Sequence, residues 1–311
     1  MSKLITVFGA TGGQGGSVAR SLLASQASAF KIRATTRRPE SKAATALAAA
    51  GAEVVKADGH NKGDMVAAFT GAWGAFINTN SDDPSINTEG GPTETDLGKL
   101  IVDAASEARV KHLVYSSFAS ATKASKGQVP NLAFDGCPGE YMENFFIEAI
   151  APIFGGFPYV QDDEGFLTFH VPAWGGNEQV PYLCMNRDYG DIVHGVFLNP
   201  EEYDRKFVQA FSEPRTHHDV TNTFEKITGK KSRHTVMERW QDLPTLGLTV
   251  LETVKRMHGF CQESNGWYYG SANDNGLASS LKAAGASARG ETGEDTKLTT
   301  LDKFFRLQVP A

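Results

Sequence analysis

Residues 4–16 read LITVFGATGGQGG. An apolar, β-branched run breaks into glycines, and a helical pattern follows. Gly9, Gly12 and Gly15 stand three apart. In a strand–turn–helix unit such glycines have separate tasks. One makes the turn, one lets the backbone approach a pyrophosphate, and one lets helix and strand pack closely. The phosphates then meet the N–H groups at the start of the helix. Glycines also serve plain tight turns. Here a strand precedes them and a helix follows, which is the context dinucleotide binding requires.

Working outward, strand and helix signals alternate through the first 117 residues. Strands are expected at Leu4–Phe8, Lys31–Thr36, Glu53–Lys56, Ala75–Asn78 and His112–Ser116. Between them, Val18, Ala19, Leu22 and Leu23 mark one helix and Ser41–Ala50 a second. Met65, Val66 and Phe69 mark a third. Leu97, Leu100, Ile101, Ala104 and Ala105 mark a fourth at i, i+3, i+4 spacing. Alternation of this kind predicts βαβ units, and so an α/β fold built on a doubly wound parallel sheet. Its ligand sits at the carboxyl ends of the strands.

The second strand narrows the cofactor. NAD sites place Asp or Glu at its end to hold the ribose 2′-hydroxyl. This chain has Thr35-Thr36-Arg37-Arg38 there, with no acid before Glu40. A guanidinium binds phosphate bidentately, so Arg37 predicts a 2′-phosphate and NADP(H). The alternative is a solvated basic turn. Asp58 ends the third strand, beside the adenine or as a cap for the helix near Lys62. Asn78 and Thr79 end the fourth strand, and Ser116 and Ser117 the fifth, on the nicotinamide side. The polar stretch 80–95, rich in Asp, Gly and Pro, predicts a mobile lid over the cleft. Ala278–Glu294, rich in Ala, Gly and Ser, predicts a flexible surface segment.

Composition excludes other classes. The net charge of −6 argues against a nucleic-acid surface. No apolar run approaches the roughly 18 residues of a membrane helix, and no signal peptide is expected. Cys137, Cys184 and Cys261 are far apart and odd in number, which predicts no disulfide framework. A cytoplasmic protein is expected, with the nucleus open. The eight histidines show no HExxH spacing and the cysteines no CxxC, so no metal site is expected.

VFGATGGQGGSVARSLL (7–23), GAWGAFINTN (71–80), LVYSSF (113–118) and PGEYMENFF (138–146) together resemble the NmrA-like family, atypical members of the short-chain dehydrogenase/reductase superfamily. Residues 164–193 resemble the family's segment before its last helices. The resemblance covers most of the chain. It implies a Rossmann-type domain, residues 1–136, with a small mixed α/β C-terminal lobe, residues 137–311, the chain interleaving between them. It implies bound NADP(H). Gly9, Thr11, Gly12, Gln14 and Gly15 would hold the pyrophosphate and Arg37 the 2′-phosphate. Asn78, Thr79, Ser116 and Tyr141 would line the nicotinamide side.

Two departures bear on catalysis. The Tyr-x-x-x-Lys pair of ordinary short-chain dehydrogenases is absent, since Ala119 stands four residues after Tyr115. Where relatives have Phe-Asp-(Ser/Gly)-Lys, this chain reads Phe134-Asp135-Gly136-Cys137-Pro138. The lysine, its helix and the next strand are missing, a unit of about 20 residues. Ser117, Asp135 and Tyr141 remain as candidate proton donors or polarising groups. Their alternatives are a strand-end hydrogen bond for Ser117, a turn for Asp135, and packing with Phe145 and Phe146 for Tyr141. Phe145, Trp174 and Trp267 stand in aromatic-rich stretches that would line a flat substrate's pocket, fill a core or form a protein-binding face.

Two functions follow. One is an NADP(H)-dependent oxidoreductase acting on a bulky aromatic or heterocyclic small molecule. The alternative is a non-catalytic redox sensor that reads NADPH against NADP⁺ for a regulatory protein partner. The reading adopted is the enzyme.

Overall fold

The computed structural model describes residues 2–26, 29–80, 83–86, 90–116 and 139–309. The chain divides into two compact units. The first comprises Met1–Ser117, Met185–Val208 and Gly276–Leu298, the second Phe118–Cys184, Gln209–Asn275 and Thr299–Ala311.

The first unit is built on a parallel sheet. Its strands are β1 (Lys3–Val7), β2 (Phe30–Thr36), β3 (Glu53–Lys56), β4 (Gly74–Ile77) and β5 (His112–Tyr115), in the order β3-β2-β1-β4-β5. Helices α1 (Gly13–Leu23), α2 (Lys42–Ala49), α3 (Lys62–Phe69) and α4 (Glu94–Glu107) connect them. This is the expected Rossmann-type α/β fold. The central strand is buried on both faces because helices cover both; Ile5 and Val7, on one face, are fully buried. Thr6 is buried too, and its hydroxyl donates to Ala68 O at 2.9 Å. The helices begin where capping chemistry allows. Ser41 caps α2, Asn61 caps α3, and Thr93 with Asp96 forms a capping box on α4. Strand order reverses between β1 and β4, so the loops leaving these two strands part and open a crevice.

Two later helices complete this unit, α5 (Gly190–Leu198) and α8 (Gly276–Ala288). The second of them corrects an expectation. Ala278–Glu294 is no loose surface segment, because most of it forms α8 and a short 3₁₀ turn at Gly293–Thr296. Its small residues permit close packing on α5: a Cβ on Gly285 would lie 2.1 Å from Asp191 O. Lys282 is buried there. Its Nζ donates to Asp191 Oδ2 at 2.6 Å and to Arg187 O at 2.7 Å. Arg289 grips the same carboxylate with both ends of its fork, at 2.8 and 2.9 Å.

The second unit is mixed α/β. Strands β7 (Leu167–Pro172) and β10 (Ser232–Met237) pair in parallel. In a three-stranded sheet, β8 (Val180–Leu183) lies between β6 (Glu140–Tyr141), parallel to it, and β9 (Glu213–Arg215), antiparallel to it. Helices α6 (His217–Thr228), α7 (Thr249–Glu263) and α9 (Leu301–Gln308) pack around a core crowded with aromatic rings. Cys184 and Cys261 are buried, and neither is in a disulfide. Among the described residues, no helix is long and apolar enough to cross a membrane.

Candidate functional site

The glycine turn follows β1. Gly9 adopts φ +74°, a conformation costly for other residues. The Gly12 N–H donates to Gly9 O at 2.9 Å and closes the turn. Gly15 lies against the same carbonyl, where an added Cβ would be 2.3 Å from Gly9 O and 2.9 Å from Ala10 N. No side chain caps the N-terminus of α1, and its first turn holds no acid. The helix end thus keeps its positive pole for an anion.

Beside the turn lies a pocket of about 150 Å³. Gly9, Thr11, Arg37, Asp58 and Asn78 all line it, together with Thr36, Arg38, His60 and Asp83. Asp58 Oδ1 accepts the His60 N–H at 3.1 Å, which shapes the loop after β3. Capping of α3 falls to Asn61 instead. Arg37 is engaged: its Nη2 lies 2.6 Å from Asp83 Oδ2. Burial works to raise the Asp83 carboxyl, but hydrogen bonds from Ser85 and the Arg37 guanidinium outweigh it and hold it at about 2. The lid expectation for 80–95 meets a partial answer. Residues 83–86 are tied down beside the pocket, 94 and 95 begin α4, and 81, 82 and 87–89 lie outside the described residues.

At the end of β5, Ser116 donates to Gln14 Oε1 at 2.6 Å. The Tyr189 hydroxyl donates in turn to Ser116 Oγ at 3.1 Å. Ser116 is therefore a positioned hydroxyl whose single proton is committed to Gln14. Thr79 donates to Glu94 Oε1 at 2.6 Å, which ties the end of β4 to α4. The sequence reading missed Asp83, His60 and Tyr189. Their partners Arg37, Ser85 and Ser116 lie far along the chain, so no local pattern marks them.

The remaining candidates fall elsewhere. Ser117 and Asp135 lie outside the described residues, as does the junction after Gly136. Tyr141 is half-buried on β6, in register with Leu183. Trp174 is corrected to a core residue of the second unit. It is fully buried, its Nε1 donates to Gly266 O at 3.1 Å, and it stacks on Tyr268. Phe145 likewise packs against Phe157, Phe169, Tyr182 and Phe305. Trp267 is 42% exposed. Among the described residues, no group of three His, Cys, Asp or Glu is placed to hold a metal ion.

The NmrA-like family profile matches residues 1–135. An NmrA-like family domain-containing oxidoreductase of Cladobotryum sp is 45% identical, and the alignment covers 98% of each chain. The chain belongs to the NmrA-like family. That alignment spans 331 positions against 311 residues here, so at least 20 of its positions (331 less 311) have no counterpart in this NmrA-like chain. Solved structures share the fold. NmrA, a negative transcriptional regulator, in complex with NADP, superposes with a TM-score of 0.68 at 20% identity, over 93% of this chain and 94% of its own. Triphenylmethane reductase of Citrobacter sp., complexed with NADP(H), gives 0.67 at 19% identity, over 99% of this chain and 100% of its own.

Proposed function

We propose that this NmrA-like protein is an NADP(H)-dependent oxidoreductase acting on a bulky aromatic or heterocyclic small molecule. One observation carries the reading: a turn built of glycines leads into an uncapped helix N-terminus, beside a pocket that holds two arginines at the end of β2. The residues present fit a phosphorylated dinucleotide. The glycine turn and the N–H groups at the start of α1, which Gly15 lets pack close to that turn, bind a pyrophosphate. Arg37 and Arg38 bind a 2′-phosphate. When bound, NADP(H) supplies the hydride chemistry. Ser116, fixed by Gln14 and Tyr189, acts as a positioning residue and not as a proton source, because its proton already has an acceptor. The likeness to a curated oxidoreductase along nearly its whole length supports catalysis.

The fold is also that of a transcriptional regulator, which keeps the sensor as the second reading. The test is titration of NADPH and NADP⁺, with nicotinamide absorbance followed as aromatic aldehydes, quinones and cyclic imines are added. Tight binding with substrate-dependent absorbance loss supports the enzyme. Tight binding without turnover, and unequal affinity for the two redox states, replaces it with the sensor. No binding of either nucleotide overturns both.

A further inference from the structure

The cation at the end of β2 already has an anion. Arg37 and Asp83 are 2.6 Å apart, and the two partners are unlike: the arginine side chain is 56% exposed and the aspartate 9%. More than half of the arginine side chain faces solvent, while the carboxylate is enclosed and held. Ser85 holds it, donating to Asp83 Oδ1 from its backbone N at 3.0 Å and its hydroxyl at 2.5 Å. That hydroxyl has one proton, so the 2.8 Å contact between Ser85 Oγ and His60 Nε2 is donated by His60. The backbone adds two bonds. Asp83 N donates to Asn80 O, and Ile86 N to Asp83 O, each at 3.1 Å. Ile86 is buried in the core cluster between α3 and α4. An anion is thus anchored at the guanidinium edge that a ribose 2′-phosphate needs.

We infer that Asp83 is a determinant of cofactor choice: its carboxylate stands in for the 2′-phosphate on Arg37 and lowers the preference of this pocket for NADP(H) over NAD(H). The inference rests on the dinucleotide reading above. A 2′-phosphate must take Arg37 from Asp83, or share it, and in either case meets the carboxylate's charge. A plain ribose has neither difficulty. Arg38 has no ion-pair partner among the described residues, so it remains for the phosphate. The formal charges lining the pocket balance before a ligand arrives, Arg37 and Arg38 against Asp58 and Asp83. Because Asp83 titrates at about 2, the competing anion persists at every pH of ordinary use.

The experiment titrates the full chain and its Asp83→Asn and Asp83→Ala variants with NADPH, NADH, 2′,5′-ADP and 5′-AMP. Removing the carboxylate should tighten NADPH and 2′,5′-ADP about three- to tenfold, as expected when a half-exposed ion pair no longer competes and a like charge is gone. NADH and 5′-AMP should stay within about twofold. Ser85→Ala leaves the charge but loosens its anchor, and should act in the same direction with smaller size. It serves in place of the Asp83 variants if they fail to fold. Unchanged or weaker NADPH binding overturns the inference, as does an equal shift for both pairs. Weaker NADH and 5′-AMP binding also overturns it, because the carboxylate would then be holding a ribose hydroxyl. Failure of the wild-type chain to bind any of the four removes the dinucleotide reading itself, a result distinct from the others.

Discussion

Gly15→Ala should cripple the cofactor site, whereas the same change two residues earlier should not. At Gly15 the new Cβ would stand 2.3 Å from Gly9 O, 2.6 Å from Gly9 C and 2.9 Å from Ala10 N. All three are backbone atoms, so no rotamer relieves the clash. Restoring even a 3.0 Å contact moves α1 at least ~0.7 Å away from the turn. Overpacking of this kind costs about 1–3 kcal/mol. The displaced helix end also misaligns N–H groups aimed at a phosphate, and each charge-assisted hydrogen bond lost is worth about 1.5–3 kcal/mol, or roughly ten- to a hundredfold in affinity. At Gly13 an added Cβ meets nothing within 4 Å. Alanine there should leave stability equal or raise it by up to about 1 kcal/mol. Urea unfolding followed by circular dichroism gives the stability order, and NADPH titration the affinity. Gly15→Ala with wild-type stability and wild-type affinity would refute the packing argument.

Other expectations follow from the same contacts. Arg37→Glu should weaken NADPH more than tenfold and NADH less than about threefold; equal losses in a titration would remove Arg37 from the 2′-phosphate. Lys282→Met leaves two buried aspartates, Asp188 and Asp191, short of a cation, and should cost about 3–5 kcal/mol in urea unfolding; a cost below 1 kcal/mol would show the site relaxes. Burial pushes His194 down to about 4 and His258 to about 3. Their stability contribution is complete above the unfolded value near 6.5 and is lost as pH falls, about 2 kcal/mol each by pH 5; pH-independent unfolding of wild type from pH 4.5 to 3.5 would contradict this. Burial raises Glu140 to about 7, the opposite sign, so its cost grows as pH rises from about 4.5. Glu140→Gln should stabilise by about 3 kcal/mol at pH 7.5 and by less than about 0.5 kcal/mol at pH 4.5; equal stabilisation at both would show that the carboxyl's charge is not the cause.

Much of the first unit was legible because its signals are local. The five expected strands lie within one residue of those observed; β1 and β4, at the centre of a sheet covered on both faces, read as largely apolar runs. The glycine turn was legible for a similar reason: its constraint acts between residues six apart, Gly9 and Gly15. Composition served less well. Ala, Gly and Ser in 278–294 read as loose chain, yet small side chains are also what lets α8 approach the backbone of α5. The aromatic residues of the second half were equally ambiguous. A ring at Trp174 suits a pocket or a core, and only its contacts with Gly266 and Tyr268 decide for the core. Tyr189 was invisible, since its significance lies in a hydroxyl that meets Ser116, 73 residues back in the chain.

The cofactor rule for the second strand shows how a local reading can be incomplete while its premises hold. An acid at the end of β2 marks NAD because a carboxylate there accepts the ribose hydroxyls and repels a phosphate. The end of β2 in this chain has arginines and no acid, and the inference to NADP(H) follows. Yet the loop after β4 carries Asp83 back to Arg37, so the negative charge that is missing from the strand arrives from 46 residues further on. The rule written along the sequence is a rule about charge at a place in space. Two pockets with the same β2 motif can differ in preference according to what a distant loop brings to them. The ratio of NADP(H) to NAD(H) affinity is the quantity that reports this. Absolute affinity would also include the glycine turn and the α1 terminus, which under the proposed reading would act on both dinucleotides alike.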